Sequence, residues 1–296
     1  MDHKQIIAAL PAEDRKRLLE KSDAAGLIHA AVHFGLIGIM GYAIAIEVPY
    51  WPWLMIPQGI LIIFLFTLLH ECAHLTPFRT HAFNKIAAWV SGFAILIPPE
   101  WFLYFHFAHH RYAQDPERDP ELSEPKPETR AAYLWYVSGI PTWIGNMRQL
   151  IGNLTYAKPD GFTPKSAYGK VRREAFLFVA GYATLTAGSI YLNTDVLLWT
   201  WVVPALIGQP FLRLYLMAEH GLLPNVSNMI ENTRTTRSNA LVRKLAWNMP
   251  WHIEHHALPT VPFHRLPDLH RLIRGHTPEP ETGYLAFHRD YIRQLR

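Results

Sequence analysis

Between Ala24 and Ile46 the chain runs for 23 residues without a Lys, Arg, Asp or Glu. As an α-helix such a run crosses a hydrocarbon core of about 30 Å, where every backbone polar group must be paired within its own segment. A second block, Trp53 to Leu69, is uncharged up to Glu71, and two more follow, Ala175 to Leu192 and Val196 to Met217, the last carrying only Arg213. The blocks predict an all-α integral membrane protein: one membrane-bound domain over 1–296, with four transmembrane helices at about 24–46, 53–75, 175–192 and 196–218.

Short loops rich in Lys and Arg stay on the cytoplasmic side. Lys4, Arg15, Lys16, Arg17 and Lys21 precede the first block, whereas the connections Glu47 to Pro52 and Asn193 to Asp195 contain no Lys or Arg. Both termini and the long middle segment are therefore expected in the cytoplasm, forming a helical cap on the inner face of a multi-pass protein, with a bacterial inner membrane as the location. The net charge of +4 suits anionic headgroups, and no nucleic-acid-binding motif is present.

Shorter patterns fill the cap. Ile86 to Ile97, closed by Pro98-Pro99, is too short for a crossing and reads as a re-entrant or interfacial element. Ala131 to Ile151 reads as an interfacial helix anchored by Tyr133, Trp135, Tyr136 and Trp143. Asp115 to Thr129 and Lys158 to Lys165 read as loops.

The chain has 17 histidines in 296 residues, and eight of them fall in three boxes of five positions each. These are His70-Glu71-Cys72-Ala73-His74, His106-Phe107-Ala108-His109-His110 and His252-Ile253-Glu254-His255-His256. On a helix, residues three and four apart share a face, so the imidazoles of the third box can converge on one point. Neutral imidazole binds iron, zinc, copper or nickel, so ligand type alone does not name the metal. Eight ligands exceed the needs of one ion and point to two, each holding about four imidazoles. The single cysteine, Cys72, rules out an internal disulfide, a four-cysteine zinc site and a thiolate-held iron–sulfur cluster. It lies roughly 160° round the helix from the His70/His74 face, which makes it a packing residue.

Three boxes in this order resemble those of the membrane-bound, histidine-rich di-iron desaturases and hydroxylases. The acidic run Asp115-Pro116-Glu117-Arg118-Asp119-Pro120 after His109-His110-Arg111-Tyr112, and Asn248-Met249-Pro250-Trp251 before the third box, look like the acyl-lipid desaturase and carotenoid ketolase branches. The resemblance covers about residues 24–270. It implies two iron ions with O2 as co-substrate, and adds His220 as a ligand between the second and third boxes. The implied metal set is then His70, His74, His106, His109, His110, His220, His252, His255 and His256. It further implies a membrane lipid or other long apolar substrate and a separate electron donor of ferredoxin, rubredoxin or cytochrome type. Arg234, Arg237, Arg243 and Lys244 are candidate docking residues for that donor.

Desaturation of an acyl chain is the first reading, with hydroxylation or ketolation of a lipid, alkane or carotenoid as the alternative, because the ligand set does not choose among them. A remote rival is an intramembrane zinc protease, since the first box is also His-Glu-x-x-His; it leaves six box histidines unused. Glu71 and Glu254 are candidates to orient ligating imidazoles, Asn248 to face a metal, and Asp115 and Asp119 to hold a helix or an imidazole N–H. Trp101, Phe102, Phe105, Trp247 and Trp251 are candidate walls of a substrate channel. His29 and His33 belong to the first block.

Overall fold

The computed structural model describes residues 2–123, 125–155, 160–278 and 283–296. Helices α1 (His3–Ala9) and α2 (Ala12–Leu18) lead into α3 (Asp23–Ala45), while α4 (Trp51–Ile63) and α5 (Leu65–Ala73) form a second long unit. Next come α6 (His81–Ile95) and α7 (Pro99–Tyr112), then α8 (Arg130–Val137), α9 (Ile140–Thr155) and α10 (Tyr168–Tyr191). A π turn at Leu198–Val202 opens α11 (Val203–His220). Five short helices complete the chain: α12 (Met229–Asn232), α13 (Ala240–Leu245), α14 (His252–Ala257), α15 (Leu266–Ile273) and α16 (Tyr284–Gln294). Among the described residues there is no strand, only a lone bridge between Arg237 and Gly283.

The chain is thus an all-α membrane protein. Three stretches are long and apolar enough to cross a bilayer, Ala12–Ala45, Trp51–Ala73 and Leu198–His220, with a fourth if the bent pair α6 and α7 counts as one span. Three of the four blocks read in the sequence fall on these stretches. The 175–192 stretch is a 24-residue helix, α10, but it is not among the three. Lys170, Arg172, Arg173 and Glu174 occupy its first turns, and Thr184, Thr186, Gly188 and Ser189 dilute its apolar body. The Ile86 to Ile97 stretch, read as a re-entrant or interfacial element, falls largely on α6, which meets α7 at a bend of 95°. Leu96 in the left-handed region (φ 65°) ends α6, and Pro98-Pro99 cannot continue it.

The most extensive packing is between α4 and α11, and two glycines make it possible. A Cβ on Gly59 would lie 2.0 Å from the Pro204 carbonyl oxygen, and one on Gly208 would lie 2.2 Å from the Gly59 oxygen. Backbones that approach this closely tolerate only glycine, which is how helices associate where lipid supplies no hydrophobic drive. From this crossing His70 lies 11 residues on and His220 lies 12 residues on, or about 17 and 18 Å along their helices. The contact therefore fixes their relative height.

The N-terminal segment, the middle segment and the C-terminus all gather at the histidine end. The His3 N–H donates to Asn228 Oδ1 at 3.2 Å, and Arg265 pairs with Glu20 at 3.4 Å. The Arg296 N–H donates to the Glu128 carbonyl at 3.1 Å. The 131–151 stretch is two helices, not one. Gly139 in the left-handed region (φ 72°) divides it into α8 and α9, and Trp135 is exposed while Tyr133 is buried. The Tyr133 hydroxyl donates to His288 Nδ1 at 3.0 Å, and His288 Nε2–H donates to the Leu214 carbonyl at 2.8 Å, which ties α8 to α11 and α16. The loop read at Lys158 to Lys165 falls partly outside the described residues.

Candidate metal centre

All nine candidate histidines are carried to one region by four helices. His70 sits near the end of α5 and His74 at its C-cap; His106, His109 and His110 lie on α7; His220 ends α11; and α14 carries His252, His255 and His256. They do not gather box by box. One group is His70, His106, His110 and His255, the other His109, His220 and His256, each with its ligand atoms within 4.8 Å of one another. His74 joins the first group, with Nε2 at 2.8 Å from His106 Nε2 and 3.2 Å from His110 Nε2. His252 borders the second, with ring centroids 4.6 Å from His256 and 5.1 Å from His220.

The expectation that the third box converges on one point is thereby corrected: α14 sends His255 to one group and His252 and His256 to the other. A six-residue helix wedged between two clusters projects side chains three and four apart to either side of its buried face. The groups touch where His110 and His256 stack, 4.2 Å apart at 18°.

The donor atoms fit a metal. In the first group His106, His110 and His255 meet through Nε2 atoms at 3.0 and 3.1 Å. Nitrogens sharing an ion at about 2.1 Å stand about 3.0–3.4 Å apart, from right-angle to tetrahedral geometry. Elsewhere buried nitrogens are without partners: Nε2 of His220, both ring nitrogens of His256 and Nδ1 of His70. Each unsatisfied buried polar atom costs about 1–3 kcal/mol, and an ion removes that cost for several at once. Burial, helped by the neighbouring imidazoles, holds His252, His255 and His256 well below the usual 6.5, so they stand neutral with lone pairs ready to bind.

Outer partners set the ring tautomers. His109 Nδ1–H donates to Asp119 Oδ1 at 3.0 Å, and His220 Nδ1–H donates to the Asn232 carbonyl at 3.0 Å, turning Nε2 of each inward. Burial alone would raise the Asp119 carboxyl, but the His109 N–H and the backbone N–H groups of Gln114 and Glu121 hold it below its usual 3.8. Glu71 lies 3.6 Å from His255 Nδ1 while its other oxygen accepts from Thr76 at 2.8 Å and from the Phe263 N–H at 3.1 Å. Glu219, which the sequence reading passes over, faces His252 Nε2 at 3.5 Å.

Several other residues have different jobs from those read in the sequence. Glu254 accepts from Thr235 at 2.5 Å and from His270 at 2.6 Å, so it braces α14 on α15 and does not orient a box histidine. The Asn248 amide donates to the Phe263 carbonyl at 3.0 Å. Asp115 closes its own turn through Arg118; Cys72, by contrast, packs in the apolar core as its place on the helix implies. Arg234 donates to the carbonyls of Ala218 and Gly221, and Arg243 to that of Ser238, so two of the four docking candidates are internal clamps. His33 Nε2–H donates to the Leu61 carbonyl, and Trp247 donates to His33 Nδ1.

A cleft of about 730 Å³ reaches His70, His109, His220 and His252, inside the range of about 300–1,000 Å³ typical of small-ligand sites. Trp101, Phe102 and Phe105 line it together with Phe66. Trp247 and Trp251 do not: the first packs on His29 and Phe263, and the second lies on His270 at 4.1 Å.

A family model described as fatty acid desaturase matches residues 48–288. Among curated proteins the chain is 25% identical over 233 residues to the dihydrorhizobitoxine desaturase of Bradyrhizobium elkanii, covering 71% of this chain and 65% of that one. It is 31% identical over 113 residues to the Delta(12)-oleate desaturase of Trichosanthes kirilowii, covering 38% and 30%. The chain thus spans less than two thirds of the length of either relative.

Proposed function

The chain belongs to the fatty acid desaturase family, an oxidoreductase family, and on that premise we propose that it is an O2-dependent desaturase placing a double bond in an acyl chain carried by a membrane lipid. The observation that carries this reading is the meeting of two histidine clusters at one end of an aromatic-walled cleft. His70, His74, His106, His110 and His255 would hold one iron, and His109, His220, His252 and His256 the other. When bound, the irons supply the O2 chemistry that removes hydrogen from an unactivated C–H bond. The protein supplies the aim and the dryness. Phe66, Phe102 and Phe105 offer a chain an apolar wall leading to the clusters, while Asp119 and the Asn232 carbonyl hold two ligand rings in place.

Two hydrogens leave the substrate and O2 becomes two waters, so two electrons and two protons must arrive from outside. The electrons come from a separate one-electron carrier that meets the cap. The topology that goes with this reading puts both termini and the cap in the cytoplasm of a bacterial inner membrane, supported by the Lys- and Arg-free connections at 47–52 and 193–195.

Expression in a host lacking such activity, followed by mass spectrometry of total lipids, tests the reaction. A loss of about 2 Da from an acyl chain supports desaturation; a gain of about 16 Da without a new double bond replaces it with hydroxylation.

A further inference from the structure

Arg213 is the only Lys, Arg, Asp or Glu in the block Val196 to Met217. It lies seven residues before His220 on α11, on the same face and about 10 Å away along the axis. An arginine within a spanning helix is costly and faces a partner or a cavity. Here it lines the cleft that reaches the histidines. Its Nε is buried without an acceptor, and among the described residues no carboxylate lies within ion-pair distance of its guanidinium. The contact it does make is with the face of Tyr136, 5.8 Å from the ring centroid. Five acids line the cleft, Glu117, Asp119, Glu121, Asp160 and Glu219; the two that feel the Arg213 charge, Glu121 and Glu219, each lie closer to an imidazole, Glu219 at 3.5 Å from His252 and Glu121 at 3.6 Å from His109. A fixed positive charge with five donors, held in no ion pair among the described residues, therefore lines the same cleft as Phe66, Phe102, Phe105 and the histidines.

We propose that Arg213 anchors the oxyanionic end of an amphiphilic substrate, a free carboxylate or a lipid phosphate, with the alkyl chain laid along Phe66, Phe102 and Phe105 toward the clusters. This rests on the reading that the substrate chain occupies the cleft. It makes Arg213 a specificity-determining residue: the oxidised carbon is set by its distance from the polar end, not from the methyl end.

The test is binding, which needs no turnover and so fails or succeeds independently of the desaturase reading. The purified protein is saturated with fluorescent cis-parinaric acid, then titrated with palmitate, methyl palmitate or dioleoyl phosphatidate. An oxyanionic competitor should displace the probe far better than the ester does. Arg213→Gln should weaken that competitor about tenfold and leave the ester unchanged, in line with loss of a charge-assisted hydrogen bond, and Arg213→Lys should keep the preference for the anion. Stronger competition by palmitate assigns a free acid; stronger competition by phosphatidate assigns a lipid phosphate. If Arg213→Gln also loses the ester, the preference of Arg213→Lys for anion over ester decides, its absence overturning the proposal. Wild-type protein that binds acid, phosphatidate and ester alike overturns it, and so does an Arg213→Gln variant that binds the anion as wild type does.

Discussion

Asp119 is not itself among the metal-holding residues, yet three N–H groups converge on it, from His109, Gln114 and Glu121. Removing it frees the His109 ring to turn and unties the loop after α7. Asp119→Ala should lower metal affinity about 10–100-fold, read as metal retained after dialysis against a weak chelator; full retention would remove Asp119 from the site. His288 yields a second prediction. Burial holds it below the usual 6.5, although its hydrogen bond to Leu214 opposes this. Below pH 6.5 the unfolded chain takes up a proton that the folded chain resists, so the tie among α8, α11 and α16 is complete above that pH and weakens as pH falls toward the lowered folded value. Wild type should therefore exceed His288→Gln in stability by about 1–2 kcal/mol at pH 8, and the gap in Tm should shrink toward pH 5; a constant gap refutes the assignment. At this scale the histidines were legible because their spacing of three and four is local. Their partners were less so: the Asn232 carbonyl belongs to no residue type, and Glu219 meets His252 across 33 positions of chain. Trp247 and Trp251 looked like channel walls because composition around a box does not say which side of it a ring falls on.

Among the helices, the boundaries visible in the sequence were those with a covalent cause, such as Pro98-Pro99 between α6 and α7. The split of the third box between two clusters was not, since it depends on where α7 and α11 lie against α14. Nor does the sequence distinguish Gly59 and Gly208 from the other glycines of the apolar blocks. The structure does, and the distinction is testable. Gly208→Val drives side-chain atoms into the Gly59 backbone, an overpacking worth at least about 1–3 kcal/mol, and should shift His220 away from His109 and His256. Gly35→Val meets nothing within 4 Å and serves as the control. Membrane-inserted Gly208→Val should purify with little metal while Gly35→Val matches wild type; normal metal in both would show that the crossing does not set the site.

For the molecule as a whole, the apolar blocks made an all-α membrane protein legible at once, whereas α10, with its polar first turns, is not among the three stretches apolar enough to cross. Both termini pack against the segments that carry the histidines, so the proposed topology requires them on the same side as the site. Reporter fusions at Pro49 and Asn193 should report the outer side and those at Pro125 and Arg296 the inner; a mixed result would break the topology. Metal analysis of anaerobically purified protein should find two irons per chain, and one zinc without iron would dismiss the paired assignment. The last consequence comes from α14. Six residues without a side-chain cap are too few to hold a helix alone, and this one divides its imidazoles between two clusters. Whichever ion arrives first prepays the ordering of α14 for the other, so the two occupancies are thermodynamically linked. Titration of metal-free protein should pass from empty to doubly loaded with little singly loaded species. His255→Ala, though it removes a ligand of the first cluster, should also thin the occupancy of the second; an untouched second ion would mean that the two sites fill as strangers.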